Sequence, residues 1–178
     1  MRELLRSGGE DPDREGLLET PDRFLRAWAE WTSGYAESPN EILKTFDDGA
    51  NAYDEMVLVR DIPVYSLCEH HLAPFFGVAH VGYLPRGRIV GLSKLNRLVG
   101  AYARRLQVQE RLTTQVADTL FDALNPYGVA VMIECRHMCM ESRGVRQPGA
   151  STITSAMRGT LKTDAKSRSE FLNFVSRR

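Results

Sequence analysis

Two short segments, Cys68, Glu69, His70, His71 and His137, Met138, Cys139, crowd two thiols and three imidazoles into a small part of the chain. Such groups bind borderline-soft divalent metals as thiolate sulfur and neutral imidazole nitrogen, and zinc suits them well. Cys68 and His71 stand three residues apart, a spacing that lets two side chains of one turn converge on an ion. The pair lacks the second close pair that a zinc finger requires, so a third ligand has to come from far along the chain. Any fold must therefore bring two distant segments to one point. The number of ligands also matters, because a closed structural site fills four positions with protein groups and a catalytic site keeps three, leaving one for water. If Cys68, His71 and Cys139 take the metal, His70 and His137 remain beside it as acid/base groups. The other reading of the same residues is a disulfide or inert thiols.

The elements around these segments follow from pattern. Thr20 and Pro21 form an N-cap and first-turn signal, and Phe24, Trp28 and Trp31 recur at helical spacing until Gly34. Ser38 and Pro39 repeat the signal for a shorter helix through Phe46. Residues 56–65, 75–84 and 88–92 are rich in Val, Ile and aromatic residues and read as strands, which puts Cys68 to His71 in a strand-to-strand connection. Ser93 reads as the N-cap of a helix with Leu95, Leu98, Val99, Tyr102 and Leu106 on one stripe. A second helix, 110–124, carries Leu112, Val116, Leu120, Phe121 and Leu124 on one face and ends at Asn125 and Pro126. Residues 128–134, continuing toward His137, and 151–157 read as an antiparallel pair, and Asp164 opens a last helix through Val175. If residues 135–139 stay extended, Cys135, His137 and Cys139 share one face, and spacing alone does not choose among them. The order of elements predicts an α+β fold with an antiparallel sheet. There is no internal repeat.

With 178 residues, 43% of them hydrophobic, the chain is expected to bury one core, as an N-terminal helical segment over 1–50 and a catalytic unit over 51–178. Lys and Arg number 23, equal to Asp and Glu, so no bulk charge favours nucleic acid or an acidic membrane, and any anion site must be local. Three cysteines without a signal peptide point to reduced thiols in the cytoplasm. No apolar stretch approaches the roughly 20 residues that a membrane helix needs.

Local cation sites are available. Arg143 and Arg146 flank Gly144 just after the Cys139 segment, and Lys94 and Arg97 are expected in the first turn of the Ser93 helix, where free N–H groups also favour anions. A phosphate fits there, although an isolated Lys or Arg is more often a solvated surface charge. Glu110 is suited to accept two parallel hydrogen bonds from an amidine-like edge such as the N–H pair of guanine. A Glu in a first helical turn is equally explained by the macrodipole. Trp28, Trp31 and His80 read as structural.

Five stretches carry more than their chemistry: EGLLETPDR at 15–23, SLCEHHL at 66–72, GLSKLNR at 91–97, QVQERLT at 107–113 and HMCMESRGV at 137–145. Together and in this order, they closely resemble GTP cyclohydrolase I of the zinc-dependent type. The resemblance runs from Glu15 to Phe174. It implies the tunnelling fold, an antiparallel sheet with two long helices packed on one face, assembled as a homodecamer with active sites at subunit interfaces. It also implies conversion of GTP to 7,8-dihydroneopterin triphosphate and formate, the entry to folate and tetrahydrobiopterin synthesis, with one zinc ion per subunit. By position it makes Cys68, His71 and Cys139 the zinc ligands and His70 and His137 the acid/base pair, with Ser93 as a proton relay. It makes Glu110, with Gln109 beside it, the anchor of the guanine edge. Lys94, Arg97, Arg143, Arg23 and Arg26 fall on positions that hold the triphosphate, Arg26 where some members carry Lys. Cys135 falls where the family requires no thiol. Two other readings remain at this point: a zinc-stapled binding module, which would need a fourth protein ligand such as His70 or His137, and a different enzyme of the same fold acting on a pterin or deazapurine.

Overall fold

A computed structural model describes residues 1–46 and 53–176. The expected boundary between residues 50 and 51 lies outside the described residues. The chain begins with a short helix, α1 (Arg2–Ser7), followed by α2 (Thr20–Trp31) and the four-residue α3 (Pro39–Ile42). Then come strands β1 (Thr45–Phe46), β2 (Val57–Cys68), β3 (Pro74–Leu84) and β4 (Ile89–Val90). Helix α4 (Leu92–Ala103), strand β5 (Leu106–Gln107) and helix α5 (Gln109–Leu124) precede the long strand β6 (Gly128–His137). The chain closes with a helical turn α6 (Met138–Glu141), strand β7 (Ser151–Gly159), a second turn α7 (Thr160–Thr163) and helix α8 (Ala165–Ser176).

Five strands form one sheet in the order β5-β2-β3-β6-β7. The β2-β3, β3-β6 and β6-β7 pairs are antiparallel, and only the short β5 runs parallel to its neighbour, matching Leu67 to Leu106. β1 and β4 pair with each other apart from this sheet. The expected helix through Phe46 therefore stops at Ile42, and the strand expected over 88–92 shrinks to two residues.

Alternation along the strands divides the core in two. Val129, Val131 and Ile133 of β6 join Ile62, Val64, Phe75, Ala79 and Val81 in one cluster that includes Leu95, Leu98 and Val99 of α4 and Leu112, Val116 and Leu120 of α5. Ala130 points the other way and packs with Leu161 of α7 and Phe171 of α8. Each Leu, Ile or Phe buried this way stabilises the fold by about 1.5–3 kcal/mol.

Two capping expectations need correction. α2 includes Thr20, with Glu19 at its N-cap, and α4 begins at Leu92 after Gly91, so neither Thr20 nor Ser93 is the N-cap. Neither helix has a side-chain cap, and in α2 proline in the first turn still removes an N–H that would have no partner. Starting α4 two residues early leaves Lys94 in its first turn and moves Arg97 into the second. At the other ends the sequence signals hold. α5 stops at Asn125 in the left-handed region (φ 47°), whose N–H donates to the Phe121 carbonyl at 3.0 Å. The Asp164 carboxylate accepts from the N–H and hydroxyl of Ser167, both at 2.7 Å, which caps α8.

β2 carries a bulge between Val59 and Ile62, where Asp61 has φ 56° and its N–H donates to Nδ1 of buried His80 at 3.3 Å. His80 thus has the structural role its position in a strand predicts. The N-terminal segment is tied to the rest through Arg105, which donates to the Gly34 and Ala101 carbonyls at 3.0 Å and stacks over Tyr35 and Tyr102.

Candidate metal centre

The sheet order explains how the two distant segments meet. β2 ends at Cys68, a five-residue connection turns the chain, and β3 starts at Pro74, one strand away from β6. Backbone bonds fix that turn: the Cys68 N–H donates to Ala73 at 2.8 Å, and the Cys68 carbonyl accepts from Leu72 at 2.8 Å and from His71 at 3.3 Å. Leu72 sits at φ 53°, unusual for a branched side chain and paired here with the tight return. On the other side, Phe75 pairs with His137, the last residue of β6, so the end of β6 lies beside the start of β3.

Cys68, His71 and Cys139 offer ligand atoms that all lie within 4.8 Å of one another, and among the described residues this is the group of His, Cys, Asp and Glu able to hold a metal ion. Tetrahedral zinc with two sulfurs and one nitrogen needs ligand separations of about 3.5–3.8 Å, so small side-chain rotations close the gap. The donor set, two thiols and an imidazole, fits a borderline-soft cation. Burial and the neighbouring Cys68 thiol both push the Cys139 thiol above its ordinary pKa, a penalty that a bound cation reverses.

Residues 135–137 are extended, and residues 138 and 139 are not. β6 ends at His137 and the chain turns into α6, so Cys139 projects from a helical turn. Cys135 stays in the strand, 1% exposed and part of the apolar core, with burial pushing its thiol up to about 12. A thiol buried in apolar surroundings is inert, and Cys135 is not among the three residues that converge. Arg136 and Glu141 brace the turn through paired hydrogen bonds of 2.8 and 2.5 Å, and Arg136 also lies over the Phe76 ring.

The two remaining histidines take different surroundings. His70 is exposed, with Nδ1 3.9 Å from Cys68 Sγ and Nε2 4.0 Å from Glu69, whose carboxylate is paired with Arg111. His137 is half-buried, stacked on Phe75 at 4.7 Å with the rings 8° apart. Its Nε2 lies 2.7 Å from Gln109 Oε1. Burial lowers its pKa, and the nearby Glu110 carboxylate opposes that shift.

Gln109 is 1% exposed, and its amide nitrogen reaches the carbonyls of Ile133 at 3.0 Å and Thr152 at 2.9 Å and the Thr154 hydroxyl at 3.1 Å. Sequence reasoning finds Gln109 only as a neighbour of Glu110. It misses Phe75, Thr113 and Thr154, because their link to His137 runs between strands and helices that no local pattern connects.

Glu110 is exposed in the first turn of α5 and Arg143 is exposed just beyond α6, and each acts electrostatically on the centre, on His137 and Cys139 respectively. Ser93, Lys94 and Arg97 lie along the first two turns of α4, and Arg23 and Arg26 lie exposed on α2, where Arg23 pairs with Glu19. No hydrogen bond or ion pair joins these five to the metal ligands among the described residues.

A mixed α/β fold in which Cys68, His71 and Cys139 could hold a metal ion, with two further histidines in the same segments, fits a metal-dependent enzyme. Comparison narrows the class. The family described as GTP cyclohydrolase I matches residues 1–176. The chain is 65% identical over 169 residues to GTP cyclohydrolase 1 of Nitrosospira multiformis, covering 95% of this chain and 88% of that one. It is 60% identical over 181 residues to GTP cyclohydrolase 1 of Streptomyces avermitilis, covering 100% and 88%. Among solved structures, an archaeosine synthase QueF-Like in the apo form is similar at TM-score 0.47 and 21% identity over 58% of this chain and 93% of that chain, too distant to define the fold. The chain belongs to the GTP cyclohydrolase I family.

Proposed function

We propose that this chain hydrolyses the imidazole ring of GTP at C8, releases formate and forms 7,8-dihydroneopterin 3'-triphosphate, the entry step to folate and tetrahydrobiopterin, with one zinc ion held per subunit by Cys68, His71 and Cys139. The observation that carries this reading is the convergence of those three ligands beside a half-buried, hydrogen-bonded His137. When bound, zinc acidifies water to a pKa of about 7 and so supplies the nucleophile for C8.

The remaining work falls to the chain's own residues. The Glu110 carboxylate accepts the paired N–H groups of the guanine edge and presents C8 to the centre. Gln109, at the first position of α5, contributes a backbone N–H with no intrahelical partner to the same edge. His137 donates a proton to N7 as the ring is attacked, since an imidazole can give and take protons near neutral pH. His70, exposed with its Nδ1 3.9 Å from Cys68 Sγ, assists departure of formate, and Ser93 relays protons in the later rearrangement of the ribose. Lys94, Arg97, Arg143, Arg23 and Arg26 neutralise the triphosphate, which lets a chain of zero formal charge bind a polyanion.

Those cations lie on α2, α4 and the segment after α6, without a bond to the metal ligands of their own chain among the described residues. The reading therefore includes a homo-oligomer, a decamer of tunnelling-fold subunits, in which neighbours complete each site. The cytoplasm is its proposed setting, where reduced thiols persist.

The direct test is incubation of zinc-loaded protein with GTP and detection of formate and a pterin. The expected result is both products from the wild type and a loss of about a hundredfold or more in His137→Ala. Absence of pterin from the wild type would overturn the assignment, whereas full activity of the variant would remove only the role of His137.

A further inference from the structure

We propose that Gln109 is a positioning residue that locks His137 in the Nε2–H form, so that Nδ1 is the nitrogen that exchanges protons with the substrate. This rests on the acid/base reading of His137 and adds which atom acts and what holds it.

The orientation of the Gln109 amide follows from groups that have no choice of role. The carbonyls of Ile133 and Thr152, at 3.0 and 2.9 Å, can only accept, so the amide end that faces them is the NH2. A flipped amide would set its oxygen against both carbonyls. The hydroxyls extend the same logic. Thr113 donates to the Gln109 backbone carbonyl at 2.7 Å, which commits its hydrogen. Between Thr113 and Thr154, whose oxygens are 2.6 Å apart, the donor must then be Thr154. Thr154 Oγ1 is left as an acceptor, 3.1 Å from the Gln109 amide nitrogen.

The two amide hydrogens are shared among these three acceptors, and Gln109 Oε1 is left with acceptor capacity alone. It lies 2.7 Å from His137 Nε2, which must carry a hydrogen whether the ring is neutral or protonated. Phe75 fixes the plane of the ring by stacking at 4.7 Å. Turning the ring over within that plane would put Cε1–H in place of Nε2–H and break the bond. The proton delivered to N7 of the purine therefore leaves Nδ1, and the neutral ring that remains keeps its hydrogen on Nε2. One N–H bond breaks and one forms, and the purine takes up the positive charge. The anchor is rigid because its acceptors belong to β6 and β7, at the middle and edge of the sheet.

The test uses zinc-loaded protein labelled with 15N-histidine and solid-state 15N NMR at about two units above the ordinary histidine pKa. The His137 signals are identified by their loss in His137→Ala. The expected spectrum has a pyrrole-type Nε2 and a pyridine-type Nδ1. A pyridine-type Nε2 overturns the inference. In Gln109→Met, kcat for GTP should fall at least about tenfold with KM changed less than about threefold, and the His137 signals should divide between the two tautomers. Unchanged kcat in a folded variant overturns the positioning role, and if the variant does not fold, the wild-type spectrum decides alone. The failure of the underlying reading looks different: an active His137→Ala removes the acid/base role while the wild-type spectrum still reports Nε2–H.

Discussion

Cys135 and Cys139 are four residues apart and have opposite fates. The strand keeps Cys135 pointing into the core, whereas the turn that begins after His137 lifts Cys139 toward Cys68 and His71. The buried thiol carries a pH signature. Its pKa is pushed from 9.0 to about 12 by burial, so between those values the unfolded chain has lost a proton that the folded chain retains. The unfolded state then binds fewer protons, and stability falls as pH rises through that window. The melting temperature of the wild type should therefore drop more steeply between about pH 9 and 11 than that of Cys135→Ala. Zinc content should be unchanged in Cys135→Ala and lost in Cys139→Ala. Parallel melting curves for wild type and Cys135→Ala would refute the first expectation, and zinc loss in Cys135→Ala the second. Spacing alone does not separate these thiols, because both fit an extended face and the choice depends on a turn of only four residues; in the sequence only the family resemblance divides them.

At the scale of elements, what was legible in the sequence is what depends on neighbouring residues. The long strands and α5 were close to their observed spans, because alternation and helical stripes are written locally and extend over many residues. Helix starts were displaced, since α2 and α4 begin without side-chain caps and the Ser and Thr signals fall inside the first turn. The Gln109 anchor was not legible for a different reason: its partners lie 24, 43 and 45 residues away, on two other strands. Gly77 belongs to the same class of hidden constraint. It faces Cys135 across the β3-β6 pair, and a Cβ there would collide with the Glu134 carbonyl oxygen, backbone that cannot rotate aside. Gly77→Ala should therefore lower stability in urea by about 1–3 kcal/mol. It should also weaken zinc retention, since the same strand pair holds His137 and the start of α6. An unchanged urea midpoint would show that the two strands can part without cost.

For the whole molecule, the decisive relation is between the candidate metal ligands and the cations. Cys68, His71 and Cys139 meet within one chain, and Glu110 and Arg143 act on the same centre. Arg23 is exposed on α2 and paired with Glu19 at the start of that helix. A triphosphate needs several cations at once, and an isolated exposed Arg contributes little to anion affinity. If neighbouring copies complete the pocket, Arg23→Ala and His137→Ala damage different parts of a shared site. Each variant alone should be nearly inactive in the proposed reaction. Mixed subunits, dissociated and reassembled together, should regain activity, because some sites then take an intact Arg23 from one copy and an intact His137 from another. With random mixing of equal amounts and two chains per site, about a quarter of the sites are restored. A mixture no more active than its components would place both residues in the same chain's site. A fully active monomer by size-exclusion chromatography would exclude a divided pocket independently, since complementation requires that the residues of one site come from separate copies.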